Sequence, residues 1–263
     1  MMDYKSPIWQ KSAPDNPVVW TVQYVHYQMA VWLYRLHRHC SICGQRQSVA
    51  QLICQHCMAR IATKLAPESI PLDMVGDLDG RPSANQSDNV AAAWLRVYPI
   101  SYYQYPINFL IKKFKENEQL TALLALYGLI MTLPKPIGCH AKNTVILPIP
   151  TTTSRIRRRG FNPVLILAKC LAKHWGLPIW QGVARHDDSQ SQRGLDRKQR
   201  LNNTMDFYLR QAIPACQVII FDDVLTTGAT MASVARLLRG QNDKVRLLGV
   251  CLAHGTPKHG AKR

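Results

Sequence analysis

Two groups of residues have the types and spacing that chemistry needs. The first is CSIC and CQHC: Cys40, Cys43, Cys54 and Cys57, two C-x2-C pairs separated by ten residues. Each pair directs two thiolates at one point, and two pairs complete a tetrahedral zinc site. Gly44, directly after the second cysteine, suits the tight turn of such a knuckle. Four thiolates leave no open coordination position, so the expected zinc is structural and not catalytic. His56 is a spare ligand inside the second pair, and a redox dithiol is the competing reading. The second group is VIIFDDVLTTGAT, residues 218–230. An apolar run ends in Asp222 and Asp223, and Thr226, Thr227, Gly228, Ala229 and Thr230 follow. A glycine loop that enters a helix offers successive N–H groups and a helix N-terminus to a phosphate. The threonine hydroxyls add donors, and Gly228 permits close backbone approach. Two carboxylates beside an anion repel it unless they have another task. Accepting hydrogen bonds from sugar hydroxyls, directly or through Mg²⁺, is such a task. The motif thus fits a phosphorylated sugar. The bland alternative is a strand and an ordinary loop. A Walker B strand also ends in acids, but no G-x4-G-K-[ST] loop accompanies it.

The elements that must position these groups alternate between apolar strands and helices. YPINFLIKKFK predicts a helix from near Pro106, and EQLTALLALYGLIMTL a second that stops by Pro134. NTVILPIP reads as a short buried strand. In FNPVLILAKCLAKHW, Asn162 is placed to cap a helix and Pro163 to open its first turn. Phe161, Leu165, Ala168, Ala172 and Trp175 recur at helical spacing, with Lys169 and Lys173 expected on the other side. QVIIF predicts a strand, MASVARLLRG a helix closed by Gly240, and KVRLLGVCLA a final strand. This alternation implies an α/β fold with a mostly parallel sheet flanked by helices. Ligands bind such sheets at the carboxyl ends of the strands.

The expected organisation has five parts. Residues 1–32 form an N-terminal segment, partly disordered and then helical. Residues 33–66 form a small four-cysteine zinc-finger module. Residues 67–93 form a flexible acidic linker, 94–255 the α/β domain and 256–263 a basic tail. The linker region carries Glu68, Asp73, Asp77, Asp79 and Asp88 against the single Arg81. The beginning of the chain has an early acid, three prolines (Pro7, Pro14 and Pro17) and no apolar core, and does not read as a signal peptide. The run 18–36 contains Gln23, His26, Gln28 and Arg35, too polar for a membrane span. A cytoplasmic protein is expected, in which eight cysteines are not a disulfide framework. Cys170 and Cys251 sit in apolar surroundings and read as core residues.

Formal net charge is +17 over 263 residues, with 47% hydrophobic composition. The chain can bury a core, and its excess charge points to a polyanionic partner. Arg155, Arg157, Arg158 and Arg159 form one cluster, and Arg193, Arg197, Lys198 and Arg200 a second. Arginine forks suit phosphate oxygens. The clusters surround the sugar-phosphate site, with the second as a hood, or they track a nucleic-acid backbone, or they are a solvated face. For the track, Phe161, Tyr102 and Tyr103 are candidate stacking rings, although Phe161 also fits a buried stripe.

VIIFDDVLTTGAT resembles the phosphoribosyl pyrophosphate (PRPP) motif of type I phosphoribosyltransferases. The resemblance implies that Asp222 and Asp223 contact the ribose hydroxyls and that Thr226 to Thr230 hold the 5′-phosphate. A longer similarity, over residues 33–252, is to the ComF family of competence-associated, phosphoribosyltransferase-like proteins. It includes the cysteine pairs, YQYPINFLIKKFK with Lys115, LPIP followed by RRRGFNP, and SQRGLDRKQRLNN with Gln192, Leu195, Arg200 and Asn203. The acidic linker is longer than the family pattern, and FNP stands where FNQ is usual.

The resemblance implies a DNA-uptake protein of natural transformation. It would bind PRPP with Mg²⁺, bind single-stranded DNA, and work with DNA-uptake or helicase proteins. Two alternatives stand beside it: an active phosphoribosyltransferase with an unknown acceptor, and a non-catalytic PRPP-sensing adaptor. Fold alone does not decide among them. No residue of the sequence is identified as the base for an acceptor, and the catalytic residues stay unassigned.

Overall fold

The computed structural model describes residues 38–48, 53–62, 69–73, 94–186 and 207–255, with isolated helical positions at 25, 28, 29 and 32. Most of the N-terminal segment, most of the acidic linker and the basic tail lie outside the described residues.

Five strands form the main sheet: β1 (Ile70–Asp73), β2 (Trp94–Tyr102), β3 (Thr144–Pro148), β6 (Gln217–Leu225) and β7 (Arg246–His254). Their spatial order is β1-β2-β7-β6-β3. The pairs β2–β7, β7–β6 and β6–β3 are parallel, and only β1 runs antiparallel, against β2. Strands β4 (Val183–Arg185) and β5 (Phe207–Leu209) make a separate antiparallel ribbon. The helices are α1 (Gln55–Ala62), α2 (Ile107–Asn117), α3 (Leu120–Ile130), α4 (Thr153–Arg159), α5 (Pro163–Trp175) and α6 (Ala229–Gln241). The architecture is the expected α/β one, with a mostly parallel sheet flanked by helices.

Periodicity explains each face. In α2, Ile107, Leu110, Ile111 and Phe114 fall at i, i+3, i+4 and i+7, and all four are buried. Helices α3 and α5 are apolar nearly all round and join α2 in one core layer. A second layer lies on the other sheet face, where Met231, Val234, Ala235 and Leu238 of α6 meet Val218 and Ile220 of β6. The first layer is continuous with the cysteine module, because Ile53, Ile61, Cys40, Cys54 and Cys57 belong to the same buried cluster. Asn162 Oδ1 accepts from Leu165 N at 3.2 Å and caps α5, with Pro163 in its first turn.

The structure differs from the sequence reading in four places. Ile70–Asp73, inside the segment expected to be linker, is a strand paired with β2. Lys169 does not take an exposed side of α5; it is buried at 6% exposure. The surrounding layer lowers its pKa to about 8, because desolvation disfavours the charged form. Gly240 does not close α6, which continues to Gln241. Finally, β6 does not stop at Phe221. It continues through both acids to Leu225, because β7 keeps pairing with it after β3 has ended at Pro148.

Candidate functional site

Strands β3 and β6 separate at their carboxyl ends. The last rung pairs Pro148 with Phe221, and Ile149 N then donates to Phe221 O at 2.9 Å. The chain leaving β3 is thereby fixed to the residue just before the two acids. From there it enters α4. Thr152, fully buried, caps this helix by accepting from Arg155 N at 3.4 Å, and Gly160 (φ 77°) ends it. Helix α4 buries none of its residues. Arg155, Arg157 and Arg158 are exposed and Arg159 is half-buried. A cationic turn with no core role therefore follows the strand beside the acids.

Asp223 is almost fully buried, and the Lys115 ammonium from the last turn of α2 lies 2.5 Å from its Oδ2. Among the described residues that oxygen has no aligned hydrogen bond, so the contact is chiefly ionic. Asp222 Oδ1 accepts from Asp223 N at 2.8 Å. Burial, reinforced by the neighbouring Asp223 carboxylate, raises the Asp222 pKa well above the usual carboxylate range. An acid pair, Asp222 half-buried and Asp223 buried, with one lysine holds unsatisfied acceptor capacity at the mouth of the sheet.

The loop after β6 leaves Thr226 and Thr227 exposed, with Gly228 buried at the N-cap of α6. No side chain caps this helix, and no acid lies in its first turn. Its first N–H groups are thus the unsatisfied donors that favour an anion, although Ala229 N also donates weakly to Thr227 Oγ1 at 3.4 Å. Gly228 has φ 79°, a left-handed conformation that favours glycine. A Cβ there would also lie 2.6 Å from Leu72 Cδ2. The close neighbour of this glycine is therefore a side chain of β1, which the sequence did not suggest.

The structure thus brings together Asp222, Asp223, Lys115, the loop Thr226, Thr227, Gly228, Ala229 and Thr230, and, beyond the end of β3, the arginines of α4. Arg193, Arg197 and Arg200 lie outside the described residues, in the connection between β4 and β5. Phe161 is core: it is buried, with its ring 5.3 Å from that of Phe114. Tyr103 is exposed and Tyr102 half-buried at the end of β2. His254 escaped the sequence reading. It ends β7, in register with both Leu225 and Tyr102. Its Nδ1 is buried without a partner among the described residues, and desolvation lowers its pKa. A neutral imidazole thus stands on the strand next to the acids. Only its place at the end of KVRLLGVCLAH hinted at this.

At the second centre, the sulfurs of Cys40, Cys43, Cys54 and Cys57 all lie within 4.8 Å of one another. All four are free thiols, and His56 is not among them. Gly44 (φ 74°) makes the expected turn, with its N–H on Cys40 O at 2.8 Å. Cys54 N and Cys57 N point at Cys40 Sγ (3.4 Å) and Cys54 Sγ (3.3 Å), which stabilises thiolate charge. Burial raises the Cys40 pKa, but backbone N–H groups of Cys43, Cys54 and Ile42 outweigh it and hold the thiol at about 6. Four sulfurs this close repel as thiolates unless a cation sits among them. The donor set fits a tetrahedral thiophilic metal ion such as zinc.

No family model matches the chain. Curated proteins do. Competence protein F of Haemophilus influenzae is 29% identical over 159 residues, covering 56% of this chain and 68% of that protein. DNA utilization protein YhgH of Salmonella typhimurium is 30% identical over 152 residues, 55% of this chain and 66% of that protein. Competence protein ComFC of Bacillus subtilis is 32% identical over 98 residues, 37% of this chain and 39% of its own length. The chain thus spans about two thirds of the first two relatives and well under half of the third. Among the described residues, no helix is long and apolar enough to cross a membrane.

Proposed function

Because this chain belongs to the ComF family, we propose that it serves a competence-type role in DNA uptake, holding PRPP at the carboxyl end of its sheet and single-stranded DNA on its basic surface. The observation that carries the PRPP reading is the meeting of an acid pair with an uncapped helix N-terminus at the end of β6. In this reading the phosphate rests on Thr226 to Thr230. Asp222 and Asp223 accept from the ribose hydroxyls, and Lys115 offsets their charge. Mg²⁺ accompanies the pyrophosphate, and Arg155, Arg157, Arg158 and Arg159 face the remaining phosphate charge, from the pyrophosphate or from DNA. Arg193, Arg197 and Arg200 are assigned to the same task. Zinc in the four-cysteine centre is structural. The fold then belongs with the type I phosphoribosyltransferases.

Thermal unfolding with and without Mg–PRPP tests the reading. A ligand at a hundred times its Kd adds about 2.7 kcal/mol, an upward shift of about 5–10 °C for a domain of this size. The shift is expected to vanish in the Asp222→Asn, Asp223→Asn double variant. Absence of any shift at millimolar PRPP rejects the site.

The Nδ1 of His254, unpartnered among the described residues, favours a second reading, an active transferase, because a neutral histidine can take a proton from an attacking acceptor. Pyrophosphate release from PRPP across a panel of bases, amines and amides, lost in His254→Ala, is its test. No release with any of them rejects it.

A further inference from the structure

The outer face of α2 carries two large rings that the core does not use. Tyr105, just before the helix, is 62% exposed, and Phe109, one turn later, is 48% exposed. Their centroids are 6.3 Å apart with the planes tilted by 52°. The opposite face of α2 supplies all its buried residues, so packing does not require the exposed pair. The Lys113 ammonium stands 5.4 Å from the centre of the Phe109 ring, and Lys112 is exposed beside it. Glu116, one turn on, is the acid of this face. At the far end of α2, Glu118 Oε1 lies 3.6 Å from where a Gly160 Cβ would stand. Gly160 closes the arginine helix α4. From Phe109 to Glu118, the C-cap of α2, the aromatic pair and the arginine helix are thus about 14 Å apart along the axis at the standard rise.

We infer that the Tyr105–Phe109 face is a stacking platform for the bases of single-stranded nucleic acid, with Lys112, Lys113 and the α4 arginines following the backbone. This rests on the DNA-binding reading above and gives it a location. Every base has a π-face, so paired exposed rings accept any sequence, while ammonium and guanidinium groups take the phosphates. The lysines beside the rings and the net charge of +17 favour a polyanion over an apolar protein surface as the occupant.

The test is fluorescence anisotropy of the full, metal-loaded chain with labelled oligothymidylate and with an abasic strand of equal length, at several salt concentrations. The wild type is expected to prefer the strand with bases. Tyr105→Ala with Phe109→Ala is expected to weaken oligothymidylate binding about tenfold or more, to leave abasic binding nearly unchanged and to keep the salt slope. Lys112→Gln with Lys113→Gln is expected to reduce the salt slope by about 1.4 instead. Phe109→Leu, which keeps an apolar side chain, is expected to weaken oligothymidylate alone and guards against misfolding as the cause. A double alanine variant that binds like the wild type overturns the platform and leaves DNA binding intact. Equal losses on both strands overturn it too, because the rings are then structural. No wild-type binding to either strand at low salt overturns both readings.

Discussion

Replacing Lys115 by Met is expected to destabilise the protein more than replacing Asp223 by Asn, although both break the same contact. The reason is where each charge is left. The Asp223 side chain is 4% exposed and that of Lys115 25%. In Lys115→Met the carboxylate stays buried with Oδ2 unpaired. Removing one partner of a buried pair costs about 3–5 kcal/mol, and the partial exposure of the lysine places this case near the lower end. In Asp223→Asn the surviving ammonium can swing into water, so the loss approaches that of an exposed pair, about 1 kcal/mol. With about 2–4 °C per kcal/mol for a domain of this size, Tm should fall by about 6–12 °C in Lys115→Met and by about 2–4 °C in Asp223→Asn. The double variant removes the stranded charge and should resemble Asp223→Asn. Thermal unfolding of the metal-loaded protein without ligand measures all three. Equal losses in the single variants, or a double variant at their sum, would refute the assignment of the cost to a stranded carboxylate.

Three further outcomes follow from the same physics. Asp222 has a raised pKa in the fold, so the native state binds more protons than the unfolded one above the ordinary carboxylate pKa, and stability falls as pH rises through that window; Asp222→Asn should therefore raise the ligand-free Tm at neutral pH while removing the PRPP shift, and an unchanged or lower Tm contradicts this. Lys169 is lowered from 10.5 to about 8, so its burial opposes folding most below pH 8 and the opposition fades towards pH 10.5; the Tm difference between Lys169→Met and the wild type should fall across that range, and a flat difference argues against a buried ammonium. Elemental analysis should find one zinc per chain, and chelation or Cys40→Ser should lower the Tm of the whole α/β body because the cysteine module shares its core layer; a main transition unaffected by chelation would mean that the module is separable.

Local patterns were legible where one element contained the whole signal. The α2 stripe, the Asn162 cap and the paired cysteines each need only a few neighbouring residues. Long-range effects were not. Ile70–Asp73 contains a proline and an acid, and becomes a strand because β2 offers an edge to pair with. Two aspartates are poor strand formers, yet β7 draws them into β6. Lys169 has helical spacing compatible with solvent, and only the packing around α5 buries it. The site divides in the same way. Its acids and loop form one motif, whereas Lys115 reaches Asp223 across about a hundred residues of sequence.

The place of β7 in the middle of the sheet has a consequence for synthesis. Tyr102 pairs with His254, about 150 residues later. At about 5–20 residues per second, β2 leaves the ribosome roughly 8–30 s before the strand it needs. During that time its inner edge is an open template for wrong pairing. Strand β1 is made earlier and can cover the outer edge at once, while α2 and α3 can pack locally. A nascent chain stalled before β7 should accordingly be cleaved by protease within β2 and protected once residues 246–254 are free to insert; protection at the earlier stage would show that the sheet does not wait for its centre.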